Sequence, residues 1–407
     1  MTLTPALGID LTDLDLFTGG DIHAVFARLR RDSPVYWNES GDGGGFWALT
    51  RYDDVAAAYN DAARLSSRYG TVLGGSYRRQ ADSAGGQMLI ASDSPRHRLM
   101  RRQVHRAFLP GLLERAGEVV RRYLAAALDQ AHEAGRADFA EVALELPRGL
   151  LAAMFGLGRD EATHLLTLTR RMIGHRDPYY VPEDGSGLAL VAAQVEIFDM
   201  MSALMAERRR RPGADLVSIL VGARLNGRPM TDREILYNCL NVAVGGDETT
   251  PFTAAAAVET FMAHPAEFDR LLADPGLVDT ALHEIFRWTS TNAYVQRTAL
   301  TDLRIGGQQI AAGQAVTLWN VSANFDEDAF ARPEVFDVGR TLNRHLAFGS
   351  GPHRCIGLNA AWLEIRIMLE ELIARRLRFT PAGPSRRLRS NFMLGPTSLP
   401  VRVQAHG

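Results

Sequence analysis

Two cysteines in 407 residues are too few to organise a chain of this length. Cys239 and Cys355 can build neither a disulfide framework nor a structural zinc site, so nothing ties the chain to an oxidising compartment, and a cytoplasmic protein is expected. Charge of one sign is also missing. Forty-five basic against 47 acidic residues leave a formal charge of −2, which removes any bulk attraction to nucleic acid or to an anionic membrane. The stretch from Met1 to Phe17 has no basic segment leading into an apolar core, and no run of about 18 apolar residues, so neither a signal nor a membrane anchor is expected. No internal repeat and no low-complexity linker break the chain into parts.

What remains is an ordinary globular composition, 46% hydrophobic and 23% charged. Helical spacing dominates Ala24 to Arg31, Leu112 to Ala134, Ala193 to Arg211 and Leu358 to Arg376. Val35-Tyr36-Trp37 and Phe46-Trp47-Ala48-Leu49 flank the glycines from Gly41 to Gly45 and read as a hairpin; Leu303-Arg304-Ile305 and Ala315 to Leu318 flank glycine-containing turns in the same way. One unit over residues 1–407 is expected, mainly α with a small β portion at about residues 30–60 and 295–320. Two irregular stretches, Ser66 to Gln87 and Gly174 to Gly187, have the composition of lids or binding loops.

Cys355 sits in His345-Leu346-Ala347-Phe348-Gly349-Ser350-Gly351-Pro352-His353-Arg354-Cys355-Ile356-Gly357, just ahead of a helical segment. A thiol at a helix mouth suits a nucleophile of lowered pKa, a thiolate held for a metal, or a small inert core residue. Glycines on both sides clear the space that a large flat ligand needs to approach the backbone.

The segment Phe348 to Gly357 resembles the cysteine loop of the cytochrome P-450 superfamily, the heme-thiolate monooxygenases, whose pattern is Phe-Gly-x-Gly-x-His-x-Cys-x-Gly. Phe348, Gly349, Gly351, His353, Cys355 and Gly357 meet every fixed position. The resemblance implies heme b as cofactor, Cys355 as the axial ligand of its iron, Phe348 beside the sulfur and His353 toward a propionate. An axial thiolate pushes electron density onto iron and favours oxygen-oxygen cleavage.

Other segments match the family in order. Glu284 and Arg287, at i and i+3 of a helix, together with Arg340, resemble its buried structural cluster. A capping box, Thr231 to Glu234, opens a helical run to His264 that would span roughly 50 Å. That run holds Ala243-Val244-Gly245-Gly246-Asp247-Glu248-Thr249-Thr250. Two glycines inside a helix cost about 1 kcal/mol each relative to alanine and ask for a reason. The family supplies one: the motif resembles its oxygen-activating groove, with Gly245 and Gly246 making room and Glu248 and Thr249 as the acid-alcohol pair that delivers protons. Asp247 and Pro251 depart from the pattern, and Pro251, unable to donate to the Asp247 carbonyl, should kink the helix or leave that carbonyl free for water. His97 and Arg101, four apart on one helix face, and Arg297 resemble the propionate anchors. Ser322-Ala323-Asn324-Phe325-Asp326 carries Phe325 where the family often has arginine, which predicts a lost contact.

The leading expectation is a monooxygenase acting on a small organic molecule, in natural-product (secondary) metabolism. Its electrons would come from a separate ferredoxin and ferredoxin reductase docking on a basic rim of Arg101, Arg102, Arg106, Arg344 and Arg354. Heme-dependent oxidative coupling or peroxide-driven oxidation stands as an alternative; a heme sensor and a thiol hydrolase using Cys355 and His353 fit the motifs less well. No nucleic acid and no membrane enter this reading. By family analogy the pocket draws on Met88, Leu89, Asn241, Val242, Tyr294 and Met393, with Tyr69, Tyr77, Arg170, His175, Tyr179 and Asn292 nearby. Such a mixed polar and aromatic wall leans toward a heteroaromatic, peptide-like or glycosylated natural product.

Overall fold

The computed structural model describes residues 7–40, 44–73, 83–181 and 186–405. Tyr77, with much of the first irregular stretch, and Gly41 at the expected hairpin turn lie outside the described residues.

The helical segments form where the apolar spacing places them: Ile22–Asp32, Pro110–Ala134, Ser186–Arg210 and Leu358–Arg375. Pro110 starts its helix at a position where a missing N–H costs nothing, and Gly135 ends it in the left-handed conformation at φ +65°. Leu112, Ala116, Val120, Leu124 and Leu128 then share one buried face and join the main helical core.

The helical run from Thr231 is two helices, not one. Its start follows the sequence: the Thr231 hydroxyl accepts from the Glu234 N–H at 3.2 Å, and Glu234 Oε2 accepts from the Thr231 N–H at 2.7 Å. The first helix is Asp232–Asp247 and the second Thr249–Ala263, with Glu248 between them at φ −101°, ψ −30°. Pro251 removes the N–H that would have bonded the Asp247 carbonyl, and the break falls one residue past that carbonyl.

Val35–Ser40 and Gly44–Leu49 pair antiparallel, as the hairpin spacing predicts. The second expected hairpin is different. Leu303–Ile305 pairs with Gln308–Ile310, a strand too short and polar to stand out, while Ala315–Trp319 enters the main sheet between Gly44–Leu49 (parallel) and Tyr294–Ala299 (antiparallel). Burial explains the choice: all five residues of Ala315–Trp319 are buried, which a peripheral two-stranded ribbon cannot provide. Leu65–Ser66 completes this five-stranded sheet. A separate three-stranded sheet joins Leu377–Pro381, Pro400–Ala405 and Arg136–Asp138.

Glu284 and Arg287 are fully buried, with Arg340, Asn343 and Asp337 half-buried around them. Arg287 donates to Glu284 through Nε and Nη2, both at 2.8 Å, and Arg340 Nε adds a third bond at 3.0 Å. Asn343 and the Asp337 N–H complete the set of donors at 2.9 and 3.0 Å. Phe325 corrects the expectation of a lost contact. Its ring lies 5.0 Å from the Arg287 guanidinium carbon and 4.1 Å from the His23 ring, so an aromatic face takes up the cation.

Removing one partner of this cluster leaves the other charge buried without compensation. Arg287→Ala should therefore lower stability by about 3–5 kcal/mol. The exposed Arg270, paired with Glu267 and Asp337 at the surface, should cost under about 1 kcal/mol when replaced by alanine. Urea midpoints of the two variants check the contrast, and similar losses would show that burial does not set the cost.

Candidate functional site

The Cys355 loop is shaped by its glycines. Gly349 and Gly351 adopt φ +64° and +66°, and a Cβ on Gly351 would stand 2.6 Å from the Tyr59 carbonyl oxygen. Only glycine allows both the turn and that approach. The Cys355 N–H donates to the Phe348 carbonyl at 2.9 Å and closes the loop, and the Leu358–Arg375 helix starts at once after Gly357. Phe348 packs on Phe286 with ring centres 4.7 Å apart.

Cys355 is wrapped by protein and still keeps accessible surface, so that surface faces an interior space and not bulk water. Burial pushes its thiol pKa up; the Gly357 N–H and the charges of Arg101 and Arg354 pull it back down. Cys239, by contrast, is fully buried among apolar neighbours, and burial pushes its thiol up to about 12.

Gly245 is accessible as well, although Ala243, Asp247 and Glu248 beside it are buried, and nothing lies within 4 Å of where its Cβ would stand. Gly246 differs: a Cβ there would make an ordinary 3.6 Å contact with Leu150. The Thr249 hydroxyl donates to the Gly245 carbonyl at 3.2 Å, and this bond too is accessible.

Basic side chains gather here without ion pairs among the described residues: Arg297 and His97 are buried, Arg101 and His353 are half-buried, and Asp93, bonded to Ser66 and Ser67, acts on Arg297 and His97 only through space. Arg297 is 5% exposed, donates through Nη1 to the Gln296 carbonyl at 2.7 Å, and forms no ion pair among the described residues. The rings of His97 and His353 lie 3.9 Å apart, and His97 Nε2 is buried with no hydrogen-bond partner. Burial, with the charge of Arg101, pushes His97 down to about 4; burial, with Arg297, His97 and Arg101, lowers His353 further. Arg101 reaches the cysteine loop, donating to the Arg354 carbonyl at 2.7 Å. Such a cluster needs a dianion.

These features fit heme. No group of three or more His, Cys, Asp or Glu residues among the described residues could hold a bare metal ion, so a metal on Cys355 must bring its other ligands with it, as a macrocycle does. Two carboxylates on the same group would meet Arg101, Arg297, His97 and His353.

Three carboxyls behind Thr249 are buried and incompletely paired. Glu248 is 1% exposed with Oε1 unpartnered, and burial pushes it up to about 7 against the pull of Arg170. Asp247 is fully buried; one oxygen meets the Thr169 hydroxyl at 2.9 Å and Oδ1 has no partner. Glu364, on the helix that follows the cysteine loop, accepts from the Thr250 hydroxyl at 3.0 Å through Oε2 and leaves Oε1 unpartnered. Sequence reasoning did not single out Thr169 or Glu364. Each meets its partner across a long separation, and the only available signal was a charged residue at a position whose helix neighbours Ile365 and Met368 are core.

The expected pocket residues divide. Met88, Asn241 and Val242 are partly exposed. Leu89 is 4% exposed in the main core, its N–H donating to Asn238 Oδ1 at 3.0 Å. Tyr294 has no exposed surface; it packs against Trp319 and Phe392, and its hydroxyl accepts from the Leu73 N–H at 3.1 Å. Met393 is buried beside Phe252 and Leu388. Tyr179 turns outward against the Arg386 guanidinium, and His175 Nδ1 lies 2.9 Å from the Met172 carbonyl. Tyr69 is half-buried, as is Asn292, whose side-chain oxygen accepts from Asn320 at 3.2 Å.

A mainly α body with small sheets, an accessible cysteine closed into a glycine-shaped loop, and a helix carrying Gly245 and Gly246 fit the heme-thiolate class. The family model Cytochrome P450 matches residues 13–400, and the chain belongs to that family. It is 35% identical over 405 residues to linalool 8-monooxygenase of Pseudomonas putida, covering 96% of this chain and 98% of that protein. The solved Mycobacterium marinum cytochrome P450 CYP268A2 in complex with pseudoionone superposes with a TM-score of 0.89 at 29% identity, over 98% of this chain and 100% of that one. P450 OxyD, involved in the biosynthesis of vancomycin-type antibiotics, gives a TM-score of 0.87 at 30% identity, over 98% of this chain and 100% of that one. The protein is an oxidoreductase of the monooxygenase type, and its family implies a heme-iron cofactor. One helix among the described residues, Gly187–Arg210, is long and apolar enough to cross a membrane by length and composition; it buries Ala193, Ile197, Met201 and Met205 in the core.

Burial pushes Glu364 up to about 8 from an ordinary 4.5. Between these values the folded chain holds a proton that the unfolded chain has released, so stability falls as pH rises from about 5 to about 8, by at most roughly 1.4 kcal/mol per pH unit. Glu364→Gln, which mimics the neutral acid, should flatten the fall. Urea midpoints at several pH values across this window check it, and an unchanged slope would show that Glu364 does not carry the effect.

Proposed function

We propose that the chain binds heme b through Cys355 and uses it to insert one oxygen atom from dioxygen into a small organic molecule of secondary metabolism. The observation that carries this reading is the accessible Cys355 sulfur beside Arg101, Arg297, His97 and His353, four basic groups that enter no ion pair among the described residues. When bound there, heme iron supplies dioxygen binding and its reductive cleavage.

The chain's own residues orient the group and move protons. Arg101 and Arg297, with His97 and His353, would neutralise its carboxylates, and Phe348 would cover the sulfur. The Gly357 N–H donates toward the sulfur and lowers its basicity. Gly245 would make room for dioxygen, the Thr249 hydroxyl would turn its hydrogen from the Gly245 carbonyl toward it, and Glu248 would supply a proton. With its pKa raised to about 7, Glu248 can both take and give that proton near neutral pH.

Electrons are supplied from outside, by a ferredoxin and its reductase. Arg102, Arg106, Arg344 and Arg354 are exposed and enter no ion pair among the described residues, which leaves them open to an acidic partner. The setting we assign is cytoplasmic, with residues 1–407 acting as one unit. The substrate lies along Met88, Asn241 and Val242, with Arg170 as a polar contact. A test panel should hold linalool and pseudoionone, named for the two relatives, beside aromatic and peptide-like compounds.

Cys355→Ser should abolish the thiolate-type Soret band of the reduced carbon monoxide complex, while Cys239→Ser keeps it. Retention of that band by Cys355→Ser would overturn the ligand assignment.

Thr249→Ala should consume reducing equivalents at a comparable rate, release several-fold more hydrogen peroxide and form correspondingly less product, because proton delivery loses its direction. Thr250→Ala should change this partition less, since its hydroxyl is turned to Glu364. NADPH consumption, peroxide and product measured together decide it; unchanged coupling in Thr249→Ala would show that the hydroxyl takes no part.

A further inference from the structure

Asp247 has no task in the scheme above, and its surroundings are unusual. It ends the Asp232–Asp247 helix immediately before Glu248, and the whole side chain is enclosed. The Arg159–Ile173 helix packs on it and brings Thr169, whose Oγ1 lies 2.9 Å from Asp247 Oδ2 and equally 2.9 Å from the Leu166 carbonyl oxygen. A hydroxyl has one hydrogen, and a carbonyl can only accept. If the threonine hydrogen goes to Leu166, as in the common back-bond of a helical threonine, the hydrogen between Thr169 and Asp247 must belong to the carboxyl. The other carboxyl oxygen has no partner, and neither has Glu248 Oε1. Two adjacent carboxylates sealed in this way would each cost several kcal/mol, so at least one must be neutral.

The charges around the pair agree. Glu248 beside it and Glu364 from the Leu358–Arg375 helix favour a protonated Asp247, while Arg170 from the Arg159–Ile173 helix opposes; burial dominates and raises the carboxyl well above its ordinary range. The Glu145–Phe155 helix faces Gly246 with the apolar Leu150. Tyr180, which accepts a hydrogen bond from Arg170 at 2.5 Å, closes the side toward Glu248 and is only half-buried.

We propose that Asp247 is a stored proton, a neutral acid anchored to Thr169 that re-protonates Glu248 each time Glu248 has passed its own proton toward Thr249. In this step the O–H bond of Asp247 breaks as its proton passes to Thr169 Oγ1, the hydrogen of Thr169 leaves the Leu166 carbonyl and forms a new O–H bond on Glu248, which Thr169 also meets, and Asp247 becomes a carboxylate. Water entering along Arg170 and Tyr180 then returns a proton to it. Asp247 touches neither substrate nor cofactor; it acts through Glu248. Because Thr169 belongs to another helix, a shift of the Arg159–Ile173 helix would detach the store and slow its refilling.

The inference rests on the oxygen-activating reading of Glu248 and Thr249, and one measurement is independent of that reading. Infrared spectra of the heme-loaded protein without substrate, at pH 7 in water and in deuterium oxide, should show a carboxylic acid carbonyl band that is lost in Asp247→Asn. The same band should shift in Thr169→Val, which removes the anchor, and persist at its position in Thr169→Ser. Bands from Glu248 and Glu364 are assigned through Glu248→Gln and Glu364→Gln. In turnover, Asp247→Asn should raise the peroxide fraction roughly threefold or more, with the rise growing as pH increases and external protons become scarce. A wild-type spectrum with no Asp247 acid band overturns the stored proton even if Thr249→Ala behaves as expected. An acid band combined with wild-type coupling and pH profile in Asp247→Asn overturns the relay. Failure of Thr249→Ala alone overturns only the reading of the groove, since the infrared result stands without it.

Discussion

A guanidinium as deeply enclosed as that of Arg297 is the constraint from which the site follows. An uncompensated buried cation costs several kcal/mol even after the protein relaxes around it. Arg297 has a backbone carbonyl and no carboxylate in an ion pair with it, Asp93 acting only through space, and its strand is fixed in the five-stranded sheet between Leu65–Ser66 and Ala315–Trp319. The charge cannot swing out to water without dismantling that sheet. His97 and His353 sit in the same difficulty and relieve it by staying neutral, which an arginine cannot do. Sheet, helix and cysteine loop therefore converge on one place where a dianionic group is worth binding.

The break at Glu248 has an equally local cause and a wider effect. Proline at 251 deprives one carbonyl of its partner, and the backbone turns slightly at Glu248. In an unbroken helix successive side chains fan out at about 100°. The break falls between Asp247, whose carboxyl meets Thr169, and Thr249, whose hydroxyl bonds the Gly245 carbonyl. Asp247 and Pro251, the two departures from the family pattern, therefore lie on either side of it.

Much of this was legible in the sequence where chemistry constrains neighbours along the chain. The Cys355 loop could be read because its glycines answer to left-handed turns and a 2.6 Å approach. Glu284 and Arg287 could be read because i and i+3 share a helix face, and the helix at Thr231 because a capping box is local. What failed to show was long-range. Arg136–Asp138 joins the C-terminal strands although nothing in three polar residues announces a partner so far away. Ala315 to Leu318 was read as a hairpin strand opposite Leu303–Ile305, because the strands that bury it on either side lie far away in sequence or beyond the turn. Tyr294, placed by analogy on a pocket wall, is consumed by Trp319 and Phe392. Phe325 was read as a loss because the cation that stacks on it comes from another helix.

The buried carboxyls sort themselves by how completely they are satisfied. Glu284 receives five donors, two from Arg287 and one each from Arg340, Asn343 and the Asp337 backbone, and no lone pair is left for a mobile proton. Its charge is fixed, and fixed charge is what a scaffold needs. Asp247, Glu248 and Glu364 each keep an oxygen without a partner, although all three are as deeply enclosed as Glu284. Evolution of a core for stability alone would replace such groups with apolar ones of similar volume, since a half-satisfied acid is worse than none. Their presence around the break in the helix, with Glu364 held by Thr250, is explained when protons move among them. Satisfaction of the hydrogen bonds, and not burial, separates the acid that holds the fold from the acids proposed to serve the chemistry.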